Sequence, residues 1–346
     1  MLWIFALIVA IALILFLLAC LCLHAAFDVR CEGDPALKYL THEDFPDLKA
    51  EPVSFTSDRG QRLRGAVYTC QGVENPAGLV IFAHGMGGGH LSYTTEIHTL
   101  ARAGFKVLAY DNTGTMASEG KSLRSFYQAT KDLRHAIAYV RASESLSGYK
   151  IVLAGHSWGA YTVCQTLAFE EAHVAGAVAF SPPDSVSAVI CDSIARAIGI
   201  PMVWLRPALW IASVIRGGWD SRRRSSSVLL GTNRVPVLLL QGDADRDVLL
   251  PNSPLSDPAV MAKDNITGIL YEGKAHNVYQ TKESERYLGE VFDAIAAAKR
   301  QYGKGGLPPE EKARLYNIDY ELITREDPEV METVTEFIKN CFTSRL

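Results

Sequence analysis

The pentapeptide Gly155-His156-Ser157-Trp158-Gly159 constrains this chain more than any other stretch. It fits the pattern Gly-x-Ser-x-Gly. It follows the apolar run 150–154 and precedes a helix-compatible stretch, 160–171. Strand, sharp turn and helix in that order form a specific local architecture. The flanking glycines remove Cβ atoms that would strike the neighbouring strand and helix. The turn can then hold Ser157 in a strained conformation with its hydroxyl pointing out of the sheet. The backbone N–H of Trp158 would open a helix N-terminus beside that hydroxyl. The same five residues also describe a chance loop, so the rest of the chain has to decide.

Continuous apolar runs occur at 79–83, 105–110, 151–154, 174–180, 235–240 and 266–271. Unbroken runs suit strands buried on both faces. Helix-length stretches at 90–103, 123–141 and 160–171 separate them. Upstream, 52–57 and 61–69 flank the turn Asp58-Arg59-Gly60 and read as a hairpin. The pattern predicts an α/β fold: a mostly parallel sheet of about eight strands with helices on both faces. Residues 182–232 break the alternation with helical stretches at 186–198 and 204–215 and no strand, as a helical cap over the site would. Residues 51–346 are therefore expected to form one domain with the cap at about 182–232. After Glu272, helices at 282–301 and 329–342 bracket a polar insertion, 303–327.

Residues 2–23 carry no charge and are almost wholly apolar. At about 1.5 Å per residue they can cross a hydrocarbon core of about 30 Å. Residues 1–27 are read as a single-pass membrane anchor, and 28–50, charged and holding Pro35 and Pro46, as a linker. A cleaved leader would carry a basic start and a shorter apolar run. Leu17-Leu18-Ala19-Cys20 resembles a lipoprotein cleavage box, so a secreted or lipid-attached form is the alternative. Arg30 and Lys38 follow the span, which points the domain into the cytoplasm; Asp28, Glu32 and Asp34 among them oppose that bias.

A net charge of −4 offers no basic field, so nucleic acid is not an expected partner. The seven cysteines form no Cys-x-x-Cys pair, and free thiols are expected rather than a zinc knuckle or a disulfide framework. Gly87-Gly88-Gly89 lacks the Gly-Lys-Ser/Thr ending of a phosphate cradle. No cofactor or metal is expected, and the oligomeric state is not legible.

Four motifs occur in order: Phe82-Ala83-His84-Gly85-Met86-Gly87-Gly88-Gly89, the Ser157 turn, Gln241-Gly242-Asp243-Ala244-Asp245-Arg246-Asp247-Val248, and Gly273-Lys274-Ala275-His276-Asn277. With them the chain resembles the α/β-hydrolase fold family, in its lipase/esterase and serine-aminopeptidase-like branch, over about residues 53–341. A serine needs a base to become a nucleophile. His276, after the last strand-like run, is the candidate, since an imidazole takes and returns a proton near neutrality. His156 should point away from the site. The resemblance selects Asp245 as the acid that holds the imidazole, with Asp243 the runner-up. It also implies an oxyanion hole from the backbone N–H groups of Met86 and Trp158. One motif departs. Where many members read Asp-x-Arg-Gly-x-Gly-x-Ser, this chain has Asp111-Asn112-Thr113-Gly114-Thr115-Met116-Ala117-Ser118.

The resemblance implies attack by Ser157, an acyl-enzyme and hydrolysis. An apolar stripe in the cap, with Trp204 and Trp210, would pack on the body and in part line an acyl pocket. That suits a small-molecule or lipid ester. Arg216, Arg222, Arg223 and Arg224 are a solvated face or a patch for anionic headgroups. A peptidase would need acids to hold a substrate ammonium, and the cap acids are Asp184, Asp192 and Asp220. A non-catalytic protein that keeps the fold is the reading from another class.

Overall fold

The computed structural model describes residues 1–169, 173–222 and 225–343. Arg223, Arg224 and the end of the helix expected over 160–171 lie outside them. The chain opens with α1 (Leu2–Phe27), then the hairpin β1 (Leu48–Thr56) and β2 (Arg62–Cys70). Next come β3 (Leu79–Ala83), α2 (Thr94–Arg102), β4 (Lys106–Tyr110), α3 (Gln128–Ala142), β5 (Ile151–His156), α4 (Trp158–Thr166) and β6 (Gly176–Phe180). The excursion that follows holds α5 (Val186–Ile198), α6 (Arg206–Gly217) and α7 (Ser226–Thr232). The chain closes with β7 (Val237–Gly242), α8 (Pro258–Met261), β8 (Ile266–Tyr271), α9 (Lys282–Tyr302), α10 (Pro309–Leu315), α11 (Tyr320–Ile323) and α12 (Pro328–Thr343).

All six apolar runs contain a strand, and the hairpin forms. They build one eight-stranded sheet in the order β1-β2-β4-β3-β5-β6-β7-β8. β2 pairs antiparallel with β1 and β4, and the later pairs are parallel. In β3 the period-two alternation sends Val80 and Phe82 to one face and Leu79 and Ile81 to the other. The first pair packs with Ile97 and Leu100 of α2 and Val334 and Ile338 of α12. The second packs with Leu133 and Ile137 of α3 and Val163 of α4. Both faces are thus dry, at about 1.5–3 kcal/mol per fully buried aliphatic side chain. β3 lies between β4 and β5, so the chain changes direction across the sheet there. The crevice at such a switch point, beyond the carboxyl ends of the strands, is where open α/β sheets place their ligands.

The two termini of the sequence reading fare differently. α1 is a helix long and apolar enough to cross a membrane by length and composition, a test that a signal sequence also passes. Its last turns are docked: Ala19, Leu23 and Phe27 are buried in a cluster with Leu205, Leu209 and Ala212 of the cap and Phe126 and Trp158 of the body. Residues 28–50 are pinned rather than free. Arg30 donates to the carbonyls of Ser118 and Gly120, both at 2.8 Å, and Cys31 bridges Thr115. Asp34 accepts from Lys299 and from Tyr316, both at 2.7 Å. β1 begins at Leu48, inside the stretch read as linker.

Candidate active site

The turn after β5 is as tight as its glycines imply. Ser157 sits at φ 54°, ψ −112°, a left-handed conformation rare for a side-chain-bearing residue. A Cβ on Gly159 would lie 1.9 Å from the Ala83 carbonyl oxygen, and one on Gly155 would lie 2.6 Å from the Gly159 backbone. Neither neighbour can yield, because one is β3 and the other is α4. The serine is therefore fixed where strand becomes helix, and the N–H of Trp158 starts α4 with no intrahelical partner. The Trp158 indole is buried and donates to the Phe126 carbonyl at 2.7 Å, which locks the first residue of the helix.

The loops after β7 and β8 bring an acid to a base. Asp245 Oδ2 lies 2.8 Å from His276 Nδ1. The other carboxylate oxygen accepts the N–H groups of Asp247 at 2.8 Å and Val248 at 3.0 Å. Gln241 donates to Oδ2 at 2.8 Å. A carboxylate so bonded cannot turn away, and it holds the Nδ1 hydrogen so that Nε2 is the free ring nitrogen. Asp243, the runner-up, accepts from Gly273 N at 2.6 Å and ties the two loops together. Ser157 and His276 line the same cleft. Among the described residues no side-chain hydrogen bond joins them, and such contacts commonly close only around substrate.

Two buried histidines and a tyrosine hold this arrangement, and the sequence did not single out the tyrosine. Tyr93 Oη accepts from Gly85 N at 2.9 Å and lies 2.9 Å from His156 Nδ1. His156 Nε2 lies 3.1 Å from the carbonyl oxygen of His276, which also accepts from Ser181 Oγ at 2.6 Å. A neutral His156, with its hydrogen on Nε2 and Tyr93 donating to Nδ1, makes every one of these contacts a hydrogen bond. Burial, followed by the nearby His276, pushes His156 well below the ordinary imidazole range, which agrees with that assignment. Tyr93 thereby joins the loop carrying Met86, the residue before Ser157 and the backbone of His276. On the other side, His84 accepts the N–H of Asn112 at 3.0 Å, and its Nδ1 lies 2.7 Å from the Gly85 carbonyl. Burial lowers the pKa of His84 as well.

The cleft encloses about 460 Å³. Its lining includes Met86, Ser157 and His276. The apolar lining is built from Leu37 and Leu40 of the N-terminal segment and Leu288, Phe292, Ile318 and Ile323 of the C-terminal segment. Trp204 and Trp210, expected at an acyl pocket, are not among its lining residues. Trp204 is half exposed, with its indole turned to the Pro201 carbonyl, and Trp210 lies on α6, whose buried side chains join the α1 cluster. The cap touches the acid loop instead, through Arg196 and Asp247 at 2.6 Å. Two groups of side chains bring metal-type ligand atoms within 4.8 Å of one another. One includes Asp245, Asp247 and His276 themselves. In the other, Asp47 is already engaged by His98 at 2.7 Å and Cys70 at 3.2 Å.

A family model described as serine aminopeptidase, S33 matches residues 74–233. Among solved structures, the Pyrococcus furiosus esterase Pf2001 superposes with a TM-score of 0.57 at 17% identity, covering 79% of this chain and 98% of that one. Est1E from Butyrivibrio proteoclasticus gives 0.52 at 18% identity, covering 85% of this chain and 99% of that one. At such identities the likeness is one of fold. No curated protein matches the chain.

Proposed function

We propose that this chain, a member of the α/β-hydrolase fold family, is a serine hydrolase that cleaves carboxylic esters with an apolar acyl or alcohol portion. Ser157 is the nucleophile, His276 the general base and then acid, and Asp245 the residue that fixes the imidazole and stabilises its cation. The observation that carries the reading is the 2.8 Å contact between a caged Asp245 and His276 in the cleft that also holds the strained Ser157. His276 Nε2 takes the Ser157 proton as Oγ bonds to the carbonyl carbon. The resulting oxyanion lies toward the N–H groups of Met86 and Trp158, either of which is worth about 10²–10³ in rate. Collapse expels the alcohol, which receives the proton from His276. Water then repeats the sequence on the acyl-enzyme.

An ester suits the cleft better than a peptide amine. Asp34 is the one acid among the described residues of its lining, and Lys299 and Tyr316 already occupy it. Of the cap acids, Asp184 accepts from Ser227 N, Asp192 is engaged by Asn252, and Asp220 lies 3.8 Å from Arg134. None lines the cleft. The docking of α1 by Leu23 and Phe27 supports a retained anchor over a leader that is removed. Labelling by a fluorophosphonate, and hydrolysis of p-nitrophenyl esters, should both fall at least about 10³-fold in Ser157→Ala. Retained labelling in that variant, or faster turnover of aminoacyl anilides than of esters by the wild type, would sink the proposal.

A further inference from the structure

Outside α1, large exposed apolar side chains concentrate on the cap: Ile198, Ile200, Trp204, Ile211, Ile215 and Trp219. Ile215 and Trp219 are 70% and 74% exposed. Ile211 and Ile215, four apart on α6, share a face, and Trp219 stands just past the Gly218 cap that ends the helix. A patch of this kind on a lone chain marks an interaction surface. Its place on the molecule identifies the occupant, because α6 is also where α1 docks.

The composition of α1 sharpens this. Packing of α1 into the cap cluster begins at Leu15. The uncharged run continues to Leu23, so the stretch of helix against the cap is as apolar as the stretch ahead of it. An anchor helix that stays apolar where it meets the cap sets the cap edge beside it at membrane level.

We propose that the exposed apolar face of the cap, carried by Trp204, Ile215 and Trp219, is seated in the interfacial layer of the bilayer alongside α1. This rests on the reading of α1 as a retained anchor. Tryptophan is the residue favoured at that depth, with ring in the acyl boundary and N–H toward water. Arg222 stacks on the Trp219 ring at 4.7 Å, placing a cation that can reach headgroup phosphates while its stem lies on apolar surface. The stripe that sequence assigns to a substrate pocket is on this view a membrane foot.

Quenching of tryptophan emission tests it with the intact chain, at one copy per phosphatidylcholine nanodisc, using acyl chains brominated near the headgroup. Trp3 reports on the anchor and Trp204, Trp210 and Trp219 on the cap, while Trp158 is buried in the body. The expected result is strong quenching in the wild type, clear residual quenching in Trp3→Phe, a large further loss when Trp204→Phe and Trp219→Phe are added, and near-complete loss when Trp210→Phe, at a half-buried position, joins them. If Trp3→Phe alone abolishes quenching, the anchor stands and the foot does not. If the intact chain neither enters the disc nor is quenched, the anchor reading has failed and takes the foot with it. One copy per disc removes a second chain as a cover, so absent cap quenching cannot be credited to dimer formation and counts against lipid contact.

Discussion

Two helical excursions border the carboxyl edge of the sheet, and their compositions suggest the reverse of their positions. The excursion after β6 is rich in isoleucine and tryptophan, yet it turns its buried face to α1 and to Phe126 and Trp158. The excursion after β8 looks polar, yet Leu288, Phe292, Ile318 and Ile323 from it line the cleft that also holds Ser157. The difference lies in what each had to cover. α1 is a helix apolar on all sides and needs an apolar neighbour where it meets the body. The cap supplies that neighbour. The later segment is positioned by a few polar ties: Gln280 and Ser284 both hold the Ile323 carbonyl at 3.0 Å, and Asp34 clamps Tyr316. An apolar stripe says that a face is buried; it does not say against what.

The contrast is broken or sharpened first by substrate length. Removing the cleft wall with Leu288→Ala and Phe292→Ala should cut kcat/KM for a long-chain p-nitrophenyl ester about 10–100-fold, at about 1–3 kcal/mol of lost apolar contact. The acetyl ester should change less than about threefold, since it does not reach that wall. Trp204→Ala should leave both esters, presented in solution, within about threefold. A cap substitution that lowers long-chain hydrolysis more than the wall substitutions would reverse the assignment of the two excursions.

A smaller effect separates positioning from covering. Tyr93→Phe keeps the ring and removes the hydroxyl that joins Gly85 and His156. Losing those bonds should lower kcat about tenfold with KM within about twofold, the signature of a misplaced oxyanion loop and base. The rate of fluorophosphonate labelling should fall in proportion. An altered KM with kcat preserved would place Tyr93 in the substrate wall instead.

The sheet was legible because its strands are buried on both faces and therefore read as unbroken apolar runs. That Asp245 would meet His276 beside Ser157 was expected because each follows such a run within a few residues, under motifs whose spacing reflects turn geometry. Tyr93 was not, because its hydroxyl acts across the fold on residues that are not its sequence neighbours. The cleft wall was missed for the same reason: Leu37 and Ile318 are far apart in the chain and are brought to one cleft by ties such as Asp34 to Tyr316 and the Lys38 N–H to Tyr320 Oη. The odd loop after β4 gains a physical account. Met116 stands where the family pattern has glycine and still adopts φ 36°. Its N–H donates to the Cys31 carbonyl at 2.8 Å, and its own carbonyl accepts from Arg30. The segment read as a linker thus holds a loop whose sequence alone would let it relax.

The smallest expected effect concerns the underside of the cleft wall, where two carboxyls share a dry site. Glu326 accepts from Thr99 and lies beside Glu96 and the ring of Tyr279. Burial raises Glu326 to about 7, and burial together with the Glu326 charge raises Glu96 well above the ordinary range. The folded chain therefore binds these protons more tightly than the unfolded chain does. The contribution of Glu326 to stability is full below the ordinary glutamate value of 4.5 and is lost as pH rises through about 7. Glu326→Gln removes the Glu326 titration while keeping a group that can bond Thr99. Its melting midpoint relative to the wild type should show no gain at about pH 5 and a gain of about 2–4 °C at about pH 8. The buried histidines His84 and His156 titrate in the opposite sense, with stability lost as pH falls below 6.5, and this cancels in the difference between variant and wild type. A difference that stays flat across that range would mean that Glu326 is solvated, and that the cleft is open beneath Thr324 rather than closed there.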